Sequence, residues 1–517
     1  MPILSMVLWL PIVAAIVLAF FPRAADSAIK AFGLFASVVT FIVSLFIVTE
    51  FRSGAAGFQL VEMKAWIPQW GINYALGIDG ISLWLVMLTT LLTPVVLLSS
   101  WNAIHKHPKE YVISFLVMEA AMIGVFVATD LILFYVFFEL TLIPMYLVIG
   151  VWGGANRIYA AIKFFLFTIA GSLLMLFGII YIGFQYQHAT GVLSFAITDL
   201  YRVGVTPYAQ TLLFFAFSLA FAIKVPLFPL HTWLPDAHVE APTGGSIILA
   251  GVMLKMGTYG LLRFAFPLFP GAAADFAQWL GWLAVVGIVY GALVAMVQPD
   301  MKKLVAYSSV SHMGFVVLGL SAMTIQGVQG SVFQMLSHGV STGGLFMIVG
   351  MLSDRRHTRL ISEYGGIKAP MPRLVAAFLV ITLASIALPG TNGFIGEFLI
   401  LLGAFGWDPW MTAVAATGVI LSAVYMLWMF QRVNYGPITN EKNRLLPDLT
   451  PREWAMVVPT VAACILMGVL PGMFLGPMEL SVNRLIDRVK ARQSVIVRVV
   501  PIPAPTTAPY SEPGTVR

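Results

Sequence analysis

About fourteen stretches of roughly 20 mostly apolar residues follow one another along this chain, and a stretch of that length is what one helix needs to cross the hydrocarbon core of a bilayer. No single soluble core could bury them all. Charged residues make up only 10% of the 517, against about 25% in a soluble domain. A membrane barrel would instead show alternating segments of about 10 residues, and none is present. The sequence therefore predicts an all-α polytopic membrane protein.

The predicted spans are 3–21, 28–49, 80–100, 111–129, 131–150, 158–184, 209–238, 244–266, 277–297, 303–321, 330–352, 374–405, 411–431 and 454–475. The first run carries no charged leader region or cleavage signature and reads as a retained helix. The seventh and twelfth spans are too long for one simple crossing, and both contain prolines and glycines. The net charge of +6 invites a nucleic-acid reading. It is rejected because the basic residues lie between apolar runs and form no basic face. Sixteen Lys and Arg fall in odd-numbered loops, among them Lys302, Lys303, Arg355, Arg356 and Arg359. Even loops hold only Arg52, Lys64, Arg202 and Arg263. The positive-inside rule then places the odd loops in the cytoplasm or its organellar equivalent, with both termini on the other side. The single cysteine, Cys464, excludes an internal disulfide and reads as packing.

The tail changes character. Met478, Val482, Leu485, Ile486 and Val489 share one helical face, and Arg484, Asp487, Arg488 and Lys490 fill the other. An amphipathic helix over 478–493 is expected, lying at the interface or against a partner. Residues 494–517 are proline-rich and expected to be disordered. The five basic residues from Arg484 to Arg498 conflict with the charge rule if the tail is outside. The organisation read from these patterns is spans one to three in 1–110, two repeats in 111–266 and 277–431, and a last span at 454–475.

An ionised side chain at mid-membrane costs about 2.5–3.5 kcal/mol on insertion scales, so such residues are functional candidates by default. Glu139 lies mid-way along span five, Lys224 along span seven, Lys255 along span eight, His312 along span ten and His338 along span eleven. Glu397 lies in the second half of span twelve. Lys163, nearer a helix end, reads as snorkelling to the interface. Glu119 in span four reads equally well as a helix-packing group. Acids, amines and imidazoles arrayed across a membrane suit proton relay. Low dielectric disfavours an ammonium and a nearby carboxylate favours it. Changing the Glu139–Lys224 separation would therefore switch Lys224 between holding and releasing a proton. Histidine titrates near neutrality unaided. His231 and His238, with Asp236 and Glu240, could line a cytoplasmic inlet, although capping and loop hydrogen bonds explain them equally well. No metal-ligand spacing such as His-x-x-His is present.

Pro226 and Pro229 follow Lys224, and Pro389, Gly390 and Gly393 precede Glu397. Broken helices in corresponding places point to inverted repeats with the pathway at their interface. Spans four to eight and nine to thirteen would form the two five-helix repeats, with helices 7 and 12 broken. The segment APTGGSIILAG lacks the Gly-Lys-Ser/Thr ending of a phosphate loop.

Five segments carry a family resemblance. They are LGIDGISLWLVMLTTLLTP from Leu76, IKVPLFPLHTWLPDAHVEAPTGGSIILAGVMLKMGTYG from Ile223, VAYSSVSHMGFV from Val305, MLSHGVSTGGLF from Met335 and LPGTNGFIGEF from Leu388. Over about 70–435 the chain resembles the antiporter-like subunits of proton-translocating NADH:quinone oxidoreductase, respiratory complex I, of the M type (NADH dehydrogenase subunit 4). The resemblance implies that Glu139 tunes Lys224, that Lys255 is the central relay lysine, that His312 and His338 connect, and that Glu397 is the terminal acid. Glutamate at 397 marks the M type, since the N and L siblings and stand-alone antiporters carry lysine there. The resemblance implies neighbouring N- and L-type subunits as partners and no cofactor in this chain. NADH, FMN, iron–sulfur clusters and quinone would belong to other subunits. A bacterial inner membrane is expected, with the mitochondrial inner membrane as the alternative. Two other readings stay open, a subunit of a multi-chain Na⁺/H⁺ antiporter and a structural membrane-arm subunit.

Overall fold

A computed structural model describes residues 2–498. The expected disorder over 494–517 falls largely on residues outside that range. Among the described residues, eleven helices are long and apolar enough to cross a membrane. Three further crossings come from Ile3–Ala19, from Leu83–Ser99, and from Pro372–Ser385 continued by Asn392–Phe405. The fold is all-α and polytopic, with fourteen crossings. The small exception is an antiparallel hairpin, Gln59–Ile67 with Ile72–Ile78, in the loop before span three.

The helices divide by burial. The most apolar stretches of Thr243–Leu268 (span eight) and Ile325–Arg356 (span eleven) are wholly buried, and Met301–Ala322 (span ten) nearly so. Asp26–Glu50, Arg157–Thr190, Pro409–Asn434 and Pro451–Val469 bury well under half of theirs. Their outward Ile42, Phe46, Leu166, Phe177 and Ile420 are exposed, as suits side chains facing lipid or a neighbouring chain. The polar-bearing helices are thus jacketed by apolar ones, which keeps ionisable groups out of hydrocarbon.

One backbone device occurs twice. Asp130 caps span five, its Oδ1 accepting from the amides of Ile132 and Leu133 at 3.0 and 3.2 Å. Asp300 caps span ten through Lys302 and Lys303 at 2.7 and 3.2 Å. Beside each aspartate the chain forms a two-bond bridge. Leu131 N donates to Phe195 O and Ile197 N to Thr129 O; Met301 N donates to Arg359 O and Ile361 N to Pro299 O, all at 2.9–3.0 Å. Each bridge ties the start of a repeat's second helix to the segment leading into its fourth, broken helix. Span five begins from an even loop and span ten from an odd one, so the two copies face opposite sides.

The tail corrects the sequence reading. Gly472–Arg498 is one helix, and its apolar face is buried on this chain's own body. Trp84 Nε1 donates to Phe474 O at 3.1 Å, and Gly80 N donates to Ser481 Oγ at 3.0 Å. Gly80 allows this approach, because a Cβ there would overlap Pro477 O and the Met478 backbone. The tail arginines meet even-loop segments. Arg484 donates to Ala56 O at 2.9 Å and Arg492 to Pro267 O at 3.0 Å, while Arg488 lies 4.3 Å from the Tyr201 ring. The tail therefore lies on the even-loop face, as an even number of crossings requires. The charge conflict resolves because these arginines bind carbonyls and a ring of the protein itself.

Two residues counted as loop charges are buried within helices. Arg263 sits in the last turns of span eight, 4% exposed, with Nη2 2.6 Å from Asp79 Oδ1. Lys302 is buried at the start of span ten and donates to Ala241 O. Lys163 is an ion-pair partner of Asp236 at 2.7 Å, which replaces the snorkelling reading. Gly80→Val is expected to lift the tail helix. Trypsin should then cut after Arg484 and Arg488 faster than in the wild type in detergent; equal rates would place the anchor elsewhere.

Candidate functional site

Lys224 and Glu397 lie beside interruptions in their helices. Pro207–Lys224 ends at Lys224, and helix resumes only at Trp233. Pro226 and Pro229 lack the donor that would continue the helix. Trp233 Nε1 satisfies the freed Ile223 carbonyl at 2.9 Å. In span twelve, helix stops at Ser385 and restarts at Asn392, and Asn392 Nδ2 donates to Ser337 O at 3.2 Å. Span five runs on as one helix over Leu131–Trp152 but loosens at Thr141, two residues after Glu139, where the backbone bonds lengthen to 3.3 and 3.4 Å, a feature that sequence reading missed. Span eight holds another missed signal. Leu249–Met253 and Leu261–Ala265 are π-helical turns flanking Lys255, and such turns are frequent at functional sites. No residue type in a single sequence marks them.

Lys224 is buried and weakly held. Its Nζ reaches Thr141 Oγ1 at 3.5 Å, the outer limit of a hydrogen bond. The rings of Phe138 and Phe164 lie 5.1 and 5.6 Å away. Glu139 is within electrostatic range of Lys224, yet its Oε1 has no hydrogen-bond partner. The acid and the amine are neighbours without direct contact. An ammonium held by two rings and one long contact can change partner at small cost.

Lys255, His338, His312 and Glu397 form a continuous row. Lys255 Nζ lies 2.7 Å from His338 Nδ1 and also donates to Ala250 O. The His338 and His312 rings are 5.9 Å apart between centroids. His312 Nδ1 lies 2.8 Å from Glu397 Oε1, and Gln334 Nε2 donates to the same oxygen at 3.0 Å. The Nε2 atoms of both histidines and Glu397 Oε2 have no partner. A shuttle needs this arrangement, with one ring nitrogen bonded and the other free to accept or release. The row depends on close helix approach. A Cβ on Gly339, next to His338, would lie 2.8 Å from Gly251 O, so only glycine lets spans eleven and eight meet there.

The secondary residues divide. His238 is buried, stacks 4.5 Å from Phe346, and has both ring nitrogens unpartnered. It lies within electrostatic range of Lys302 and Lys255. Two residues further, Glu240 lines an odd-side cavity of about 270 Å³ together with Lys302, Asp354 and Arg359. His231 is buried between Phe228 and Tyr290. Glu119 is buried with both oxygens unpartnered and is not part of the row. Lys302 and Gln334 were missed, because a lysine beside an aspartate at a helix start reads as a loop charge and a mid-span glutamine carries no charge to flag it. Among the described residues no cluster of three or more His, Cys, Asp or Glu is placed to hold a metal ion.

Residues 128–422 match the family described as NADH:quinone oxidoreductase/Mrp antiporter, and residues 8–129 match the amino terminus of NADH-ubiquinone oxidoreductase chain 4. The NADH-quinone oxidoreductase subunit M of Rhodobacter capsulatus is 49% identical over 501 residues, 95% of this chain and 97% of the relative. The NADH-ubiquinone oxidoreductase chain 4 of Arabidopsis thaliana is 46% identical, over 94% and 97%. A chain of respiratory complex I from Thermus thermophilus superposes with a TM-score of 0.85 at 35% identity, over 94% of this chain and all of that one. A chain of the Mrp complex from Dietzia shares the fold alone, at a TM-score of 0.82 and 18% identity over 96% and 100%.

Gln334→Met removes the amide donor to Glu397 Oε1. Loss of a donor to a buried acceptor costs about 1–3 kcal/mol, so thermal unfolding of the chain in detergent should begin at a lower temperature. An unchanged transition would mean that the glutamine bond contributes nothing.

Proposed function

The chain belongs to the NADH:quinone oxidoreductase chain 4/Mrp antiporter family of membrane proteins, and from that membership we propose how it works as a membrane-arm, proton-translocating subunit of NADH:quinone oxidoreductase. A proton enters from the odd-loop side through the cavity at Glu240, Lys302, Asp354 and Arg359. It passes by way of His238 to the central pair Lys255 and His338, and then through His312 to Glu397. Glu139 and Lys224 form the control element. When Glu139 approaches, Lys224 holds its proton; when it withdraws, the low-dielectric site favours release.

The observation that carries this reading is the row Lys255–His338–His312–Glu397, with 2.7 and 2.8 Å contacts at its ends, the two imidazole rings 5.9 Å apart between them and their Nε2 atoms unpartnered. Driving force comes from elsewhere. The chain works as a translocase without a redox centre of its own, and NADH, FMN, iron–sulfur clusters and quinone are held by other subunits. Moving one charge against the membrane potential needs about 2.3 kcal/mol per 100 mV, which their redox chemistry supplies. Neighbouring N- and L-type subunits are the partners, in a bacterial inner membrane. Glutamate rather than lysine at 397 favours this reading over a sodium/proton antiporter.

In native membranes carrying Lys224→Ala, assembly is checked on a native gel while NADH:quinone electron transfer and proton-gradient formation are followed. An assembled complex should lose both activities together, several-fold or more. If it keeps both at wild-type levels, no proton passes under the control of Lys224, and the chain is a structural member of the arm.

A further inference from the structure

A second cavity, of about 440 Å³, opens on the opposite, even-loop face. Three elements build it: the hairpin through Phe58, Val61 and Met63, the stretch Ala196–Tyr201, and the tail helix through Ser481, Arg484 and Arg488. Arg263 forms part of its lining, 4% exposed. The relay does not use these residues.

Its electrostatics are those of an anion site. Three guanidinium groups, of Arg263, Arg484 and Arg488, face two carboxylates, of Asp79 and Asp199. Both acids are already engaged. Asp79 Oδ1 takes Arg263 Nη2 at 2.6 Å and the amides of Ile81 and Ser82 at 3.1 Å. Asp199 Oδ2 takes Ser194 Oγ at 2.8 Å. Arg263 Nε has no hydrogen-bond partner, an unusual state for a buried donor. Among the described residues no carboxylate pairs with Arg484 or Arg488; one binds a carbonyl and the other lies over a ring. The cavity size suits a small polar group, and guanidinium is the side chain that matches phosphate geometry. The mouth is apolar, since Val61 and Met63 are 59% and 61% exposed. A free inorganic anion gains nothing from that apolar rim, whereas an amphiphile does.

We infer that this cavity binds the phosphate headgroup of an anionic phospholipid, clamped by Arg263, Arg484 and Arg488, with its acyl chains leaving over Val61 and Met63. The occupied site would cross-link the hairpin to the tail helix. Recognition of headgroups by basic pockets of membrane proteins follows the same physics.

The test uses the assembled complex in nanodiscs containing a photoactivatable phosphatidylglycerol or a photoactivatable phosphatidylcholine. Crosslinks are mapped by peptide mass spectrometry. The expected result is labelling of the hairpin and tail peptides by the phosphatidylglycerol probe, weaker labelling by the phosphatidylcholine probe, and a loss of about thirtyfold in Arg484→Gln/Arg488→Gln, the scale of two basic residues meeting an anionic lipid. Arg488→Lys keeps the charge and should retain most of the labelling, which separates loss of the site from loss of folding. Equal labelling by the two probes, or labelling unchanged in the double variant, overturns the proposal. Protection of the tail from deuterium exchange by inorganic phosphate, without lipid labelling, assigns the cavity to a soluble anion and overturns the lipid.

Discussion

A polar group at membrane depth must find its partner inside the protein, and the architecture follows from that requirement. Lys255, His338 and His312 ride on the three helices that are almost fully enclosed, and apolar spans form the jacket around them. Where span seven breaks, Trp233 of the same span takes the freed Ile223 carbonyl, and after the break in span twelve Asn392 ties the chain to the Ser337 carbonyl of span eleven. The scaffold is therefore well satisfied, while the side chains of the row are not. Both Nε2 atoms and one Glu397 oxygen have no hydrogen-bond partner. A fully bonded row would be rigid and would have no open position for a proton to enter.

The acid that ends the row and the lysine outside it differ in how tightly they are held. Glu397 is pinned by His312 and Gln334 on one oxygen. Lys224 has only a 3.5 Å contact to Thr141 and two aromatic faces. Thr141 sits in the loosened turn two residues after Glu139, so movement of that turn would shift the acid and the lysine's contact together. Lys224 is thus joined to the backbone of span five, whereas Glu397 is fixed by side chains from two other helices.

Much of this was legible in the sequence, for physical reasons. A 20-residue apolar run has few alternative folds, and a lone Lys or Glu inside one stands out against its surroundings. The fourteen crossings, the breaks after Lys224 and before Glu397, and the six residues proposed for the relay were read from such signals. What the sequence hid was contact. The hairpin at 59–78 lies in a loop with weak alternation. Arg263 and Lys302 look like loop charges until their partners Asp79 and Ala241 are seen. The pairing of Lys163 with Asp236 joins residues 73 positions apart. The tail's apolar face was visible, but the surface that covers it was not, because that surface is assembled from spans three, eight, nine and eleven.

The twin aspartate clamps at Asp130 and Asp300 bear on where direction comes from. A five-helix unit clamped at one end has an up and a down of its own. Two such units set head to tail cancel each other's polarity, as two identical valves mounted in opposition would. Any net sense of flow must then be written in the positions where the copies stopped being identical: an amine at the break of one, an acid at the break of the other. On this account the vector of the machine is an acquired asymmetry of a few side chains, laid over a frame that is itself indifferent to orientation.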